Sequence, residues 1–191
     1  MRCKGWAWKD LKQYFIKSEG NNRLGGTEHG VEGPLSVSDQ VNPNPVSMAY
    51  VQGCMDFGMP FNPDFNSGKQ AGAGLYQATT RNSRRCSAAV GYLRPAMQRP
   101  NLTVRTDVFV TRIIVEKGRA TAVEIIDGGQ PKRLEAASEI ILTAGAIGSP
   151  KLMMLSGVGP AGHLKDRDIK TIHGLPGVGQ NLHDHFSTDV T

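Results

Sequence analysis

His183-Asp184-His185 is the densest group of ligand-type side chains in the 191-residue sequence. On an extended segment the two histidines point to one side and Asp184 to the other, which would present two imidazoles to a metal ion. A zinc site takes three or four protein ligands, and no third is evident nearby, so metal binding is not expected. His29, His163 and His173 stand alone and read as surface or capping residues. Cys3, Cys54 and Cys86 are odd in number and widely spaced, without a Cys-x-x-Cys. Neither a disulfide framework nor a zinc site is expected, and a reducing, cytoplasmic compartment fits best. Gly177-Val178-Gly179-Gln180-Asn181-Leu182 resembles a nucleotide-binding glycine pattern only superficially. No buried strand precedes it and no helical pattern follows, so it reads as a turn. A stronger signal is Ala144-Gly145, a small pair between a continuous apolar run and a helical pattern. There the backbone can approach a ligand closely.

Charge excludes some partners. The net charge is +5, from 22 basic and 17 acidic residues, and the basic residues are mostly scattered. Arg81, Arg84 and Arg85 form the densest group and read as a solvated loop, with contact to an anionic group as the alternative. Without a basic stripe, stacking platform or groove-reading helix, no nucleic-acid partner is expected. No run of about 18 apolar residues exists, so no transmembrane segment is expected. The seven methionines read as core filler, and Met1 to Trp6 lacks the pattern of a signal peptide.

The elements that must position these residues differ between the two halves. Asp10 to Glu19 predicts an amphipathic helix, with Leu11, Tyr14, Phe15 and Ser18 on one face and Gly20 as its stop. Residues 20–80 show no sustained period, and their prolines and glycines predict a loop-rich region with short strands such as Leu35–Val37. Ser87 is the expected N-cap of a helix from Ala88 to about Met97, disturbed by Pro95. Leu102–Thr106, Val108–Val115, Ala120–Ile126 and Arg133–Ala136 then predict a β-meander, with turns at Lys117-Gly118 and Asp127-Gly128-Gly129. Ser138 to Gly145 reads as a strand buried on both faces of a parallel sheet. A helix should follow, with Ser149 as N-cap, Pro150 at its first position and Gly157 ending it.

Gly145 to Gly159, fifteen residues, matches the second signature of the glucose-methanol-choline (GMC) oxidoreductases at its defining positions. Further blocks resemble the same family in the same order: Gly5-Trp6-Ala7-Trp8 through Glu19, His29-Gly30-Val31-Glu32-Gly33-Pro34-Leu35, Tyr76-Gln77 with Arg81 to Ala89, and Leu175 to His185. The sequence is most similar to the choline dehydrogenase-like branch. It departs from the pattern at Ala71, where an acidic residue is usual, at Ser83, where glycine is usual, and at His183, where glutamine is usual.

The resemblance implies an α/β fold of mixed α+β character, part of an FAD-binding nucleotide-type fold with a β-meander plus part of a substrate domain. Residues 1–86 would be a loop-rich lid and substrate-domain portion, 87–160 an FAD-domain portion, and 161–191 a return segment toward the substrate domain. It implies that Val110 meets the adenine of FAD through its backbone, that Ala144 and Gly145 lie against the adenosine end, and that Asp184 and His185 anchor backbone beneath the active-site region. The implied reaction is oxidation of a choline-like primary alcohol, with hydride passing to the flavin while a histidine takes the hydroxyl proton. By the same resemblance the chain is an internal piece. The family's glycine-rich nucleotide motif and catalytic histidine fall outside it, so no catalytic residue is expected here and the piece alone should be inactive. Membrane association of the intact enzyme stays open, as do its electron acceptor and oligomeric state. The alternative is a catalytically silent interaction module, or a damaged-gene product, that keeps part of the fold and uses its exposed faces to bind another polypeptide.

Overall fold

The computed structural model describes residues 4–185. It is a mixed helix and strand structure with several small sheets, in two compact units, one up to Val104 and one from Arg105. Among the described residues no helix is long and apolar enough to cross a membrane.

In the first unit, α1 (Trp8–Ser18) begins two residues before the sequence-based boundary, because the Asp10 carboxylate accepts from the Ala7 N–H at the helix start. Trp8 and Phe15, two turns apart, put their rings in tilted contact at 5.6 Å. The helix runs directly into β1 (Glu19–Asn21), which pairs in parallel with β2 (Leu35–Val37) in the register Glu19↔Leu35. A second helix, α2 (Pro45–Asp56), lies in the stretch expected to be loop. Its start is locally encoded: the Asn44 side chain accepts from the Val46 N–H at 2.9 Å, and Pro45 occupies a first-turn position where no donor is needed. No apolar stripe advertises this helix, since only Val51 is buried while Tyr50 and Phe57 stay exposed.

A short hairpin of β3 (Thr80–Arg81) and β4 (Arg84–Arg85) carries the arginine cluster, all three exposed. Both turn residues, Asn82 and Ser83, have positive φ, at 51° and 58°. The predicted helix after Ser87 is instead a π-helical turn (Ala89–Leu93) followed by α3 (Arg94–Ala96). The Arg94 N–H reaches back five residues to the Ala89 carbonyl, just before Pro95, which has no N–H to offer.

The second unit holds the expected meander. Strands β5 (Phe109–Glu116), β6 (Arg119–Asp127) and β7 (Gln130–Glu135) pair antiparallel in chain order. The turns are those foreseen: Lys117 and Gly118, then Gly128 and Gly129, all have positive φ, as two-residue hairpin turns require. Ala122 and Ile125 of β6 are fully or almost fully buried. Two anticipated strands do not form. Residues 102–106 join no sheet, and the apolar run 139–143 is unpaired, with Ile141 76% exposed. A strand buried on both faces needs sheet neighbours, and none for this run lies among the described residues.

Helix α4 (Gly145–Leu155) corrects the expected helix start. It begins four residues before Ser149, with Ala144 at the cap position and no side-chain cap bond. Ser149 is therefore interior, and Pro150 lies inside the helix, where it cannot donate to the Ala146 carbonyl. Gly157 ends the helix as anticipated, with φ of 81°. The buried Ser156 ties this end to the meander: its hydroxyl donates to the Leu152 carbonyl at 2.6 Å and accepts from the Ile113 N–H of β5 at 2.8 Å. Beyond it, β8 (Val158–Gly159) pairs in parallel with β9 (His173–Gly174) across α5 (Ala161–Lys165), whose Leu164 is fully buried.

Three outcomes follow in urea denaturation. Ser83→Gly should raise stability by about 1 kcal/mol by removing a left-handed non-glycine residue from the hairpin turn. Ser156→Ala should lower it by about 1–3 kcal/mol by orphaning the Ile113 N–H, while Ser149→Ala stays within about 0.5 kcal/mol of the parent.

Candidate functional site

The second unit brings two of the three sequence-predicted contact residues into one cleft of about 440 Å³. Val110, on the outer strand of the meander, forms one wall with Phe109. Ile141, Leu142 and Ala144, approaching α4, also line it, as do Gly148, Lys151 and Leu152 of α4. The walls are largely apolar. Their polar elements are Thr143, Lys151 and the edge of β5 away from β6, which has no strand partner among the described residues. An apolar slot with a few convergent polar groups suits a flat heteroaromatic ligand. Gly145 is the first residue of α4 and lies just outside this wall. Its φ of 82° is the conformation that glycine adopts freely, and a side chain added there would meet open space.

The 183–185 block behaves as a loop. Asp184 accepts from the His185 N–H at 2.8 Å, and both residues are exposed. His183 lines a separate hollow of about 500 Å³ with Gly179, Leu182 and the Ala146–Met154 side of α4. Gly177-Val178-Gly179 is a turn, with the Gln180 N–H donating to the Gly177 carbonyl and Gly179 at φ of 75°. Among the described residues, no three His, Cys, Asp or Glu side chains gather as a metal site.

The polar centre that sequence reasoning missed is His29. It is not a surface or capping residue but 6% exposed, and both ring nitrogens face carboxylates. Nδ1 lies 3.0 and 3.1 Å from the two Glu19 oxygens, and Nε2 lies 3.0 Å from Asp64 Oδ2. Burial lowers the pKa of His29, but hydrogen bonds to Glu19 and then Asp64 outweigh it, and the net shift is upward. Burial likewise works against the Asp64 carboxylate. The Asn66 N–H and the His29 ring prevail there, and its pKa falls below the ordinary value. The Gly30 N–H and the Asn21 side chain also donate to Glu19, so one carboxylate ties its own strand to the His29-Gly30 segment. This centre walls a cleft of about 520 Å³ that also includes Trp8, Phe15, Leu35 and Phe65.

The spacing His29-Gly30-Val31-Glu32-Gly33 has a steric cause. A Cβ on Gly30 would come within 1.8 Å of the Ile16 carbonyl oxygen, and one on Gly33 within 2.3 Å of the Ser18 carbonyl. Backbone must pass backbone here, and only glycine allows it.

With this geometry in view, comparison with known proteins gives a consistent result. The GMC oxidoreductase family profile matches residues 1–187, and the chain belongs to that family. Oxygen-dependent choline dehydrogenase of Sinorhizobium fredii is 45% identical over 186 residues, covering 96% of this chain and 33% of that protein. Alcohol dehydrogenase [acceptor] of Pseudomonas putida is 39% identical over 189 residues, covering 97% of this chain and 34% of that protein. The chain thus spans about a third of the length of the curated relatives it matches. Among solved structures, an FAD-dependent oxidoreductase from Chaetomium thermophilum superposes with a TM-score of 0.87 at 29% identity, over 95% of this chain and 34% of that one. Pyridoxine 4-oxidase from Mesorbium loti does so with 0.82 at 28%, over 90% and 34%.

Gly30→Ala should cost about 3 kcal/mol or more, because backbone rather than a flexible side chain has to move. Gly53→Ala, in open space within α2, should instead gain about 0.5–1 kcal/mol. Thermal unfolding of the two variants beside the parent checks both signs.

Proposed function

We propose that the chain is part of an FAD-dependent oxidoreductase that oxidises the CH–OH group of a choline-like primary alcohol. The observation that carries this reading is the cleft of the second unit, which Val110 and Ala144 both line beside the positive-φ Gly145. Its apolar walls, free strand edge and small-residue corner fit the adenosine end of FAD. The family match and the relatives that act on choline and alcohols support the chemistry.

Bound FAD would supply the hydride acceptor. The residues of this chain would do the holding. Val110 would offer backbone edge to the adenine, while Phe109 and Leu142 would exclude water from its faces. Ala144 would keep its side of the slot shallow, and Gly145 would let the chain turn into α4 without a side chain intruding. On this reading residues 1–86 form the lid and substrate-domain portion, 87–160 the FAD-domain portion and 161–191 the return segment. The group that takes the hydroxyl proton would lie elsewhere in the intact enzyme.

A chimera tests the proposal: these residues replace the matching third of the Sinorhizobium fredii relative, and the flavin-to-protein absorbance ratio is measured after dialysis. The parent chimera should retain FAD. Ala144→Phe, which fills the slot without demanding a new backbone conformation, should weaken retention by about tenfold or more, equivalent to about 1.4 kcal/mol. Full flavin content in that variant, with unchanged circular dichroism, would remove the site.

A further inference from the structure

We propose that Glu19, His29 and Asp64 form a proton-dependent latch that holds residues 62–71 against the junction of α1 and β1. The segment is knitted internally: the Asn62 side chain donates to the Lys69 and Ala71 carbonyls and accepts from the Asp64 N–H, and Asp64 Oδ1 accepts from the Asn66 N–H. It can therefore move as a piece. Its polar side-chain ties to the α1–β1 region are few. His29 holds Asp64 at 3.0 Å, and Arg23 donates to the Pro63 carbonyl at 3.0 Å.

The latch follows from what an imidazole can donate. Only the imidazolium has N–H on both nitrogens; a neutral ring donates from one and turns a lone pair outward from the other. With carboxylates about 3 Å from each nitrogen in a buried setting, the neutral ring leaves one lone pair facing an anion. The Glu19 side holds, because Glu19 is also fixed by the Gly30 N–H and the Asn21 side chain. The Asp64 side lets go. The other charges around the ring oppose release only weakly: Glu28 is paired with Lys12 at 2.5 Å, and Arg23 is paired with Asp39 at 2.7 Å.

The pH dependence has a definite sign. The folded-state pKa of His29 is raised above its ordinary 6.5, so its stabilisation is complete below about that pH and lost as pH rises through the higher folded value. The Asp64 pKa is lowered from 3.8, so its contribution is present above about that pH and fails only in stronger acid. The latch is shut between these limits and opens on the alkaline side. Because Phe65, Asn66, Gly68 and Gln70 line the 520 Å³ cleft, opening moves one of its walls.

Amide hydrogen exchange of the full chain at about pH 5.5 and about pH 8.5, corrected for intrinsic rates, tests the latch. Protection of residues 62–70 should fall several-fold more than that of β6. In His29→Gln and in Asp64→Asn the fall should vanish, with the segment weakly protected at both pH values. Equal protection at both pH values in the wild type, relative to β6, would overturn the proposal. Should the variants fail to fold, ¹⁵N shifts of the His29 ring in the wild type decide the matter. Two protonated nitrogens at the lower pH and one at the higher support the latch, and a single protonated nitrogen at both overturns it.

Discussion

A helix that stops leaves its last carbonyls without partners inside the helix, and burying that end is tolerable only if something else supplies the donors. Both units are organised around such an end. At the end of α1 the Glu19 N–H closes on the Phe15 carbonyl, and the chain returns at Gly30 and Gly33 so closely that neither could carry a Cβ. The Gly33 N–H donates to the Glu19 carbonyl, and the Glu19 side chain gathers His29, Asn21 and the Gly30 N–H. At the end of α4, the Ser156 N–H closes on the Leu152 carbonyl, and the Ser156 hydroxyl donates to the same oxygen while accepting from the Ile113 N–H, which draws in the edge of β5. In each unit one side chain at a helix terminus therefore sets where a distant segment lies. The cleft beside β5 and the cleft beside α1 both depend on these placements.

What could be read from the sequence was whatever is decided locally. Lys117-Gly118 and Gly128-Gly129 require positive φ, and hairpin geometry follows from that alone, so the meander is where the turns predict it. Helix α1 was legible because its apolar face recurs at helical spacing. Helix α2 was not, since its apolar residues surround the axis and most stay exposed, although Asn44-Pro45 is a recognisable start. Ser149-Pro150 misled for the opposite reason: a good local start signal was overridden by a helix already running from Gly145.

The candidate sites divide along the same line. Val110 and Ala144 meet in one cleft, and residues there act through backbone and small size, which a strand-to-helix pattern reveals. His29 acts through side chains ten and thirty-five residues away, and nothing in its own neighbourhood announces them. The neighbouring glycines were a usable signal. Two glycines three apart beside a proline marked a place where backbone is crowded, and a histidine next to such a crossing is more readily buried than exposed.

The apolar run 139–143 shows how a sequence can describe an environment larger than its own described fold. Its composition is that of a strand covered on both faces, yet Ile141 is mostly exposed and the run pairs with nothing among the described residues. Exposed Ile147 and Phe109 lie in the same unit. A free-standing domain would gain nothing from so much uncovered apolar surface and would risk edge-to-edge association. Under the proposed function the conflict disappears. The composition then suits a run covered by sheet neighbours and bound nucleotide in the intact enzyme, and the misfit between a buried-strand sequence and an exposed, unpaired run becomes support for that reading.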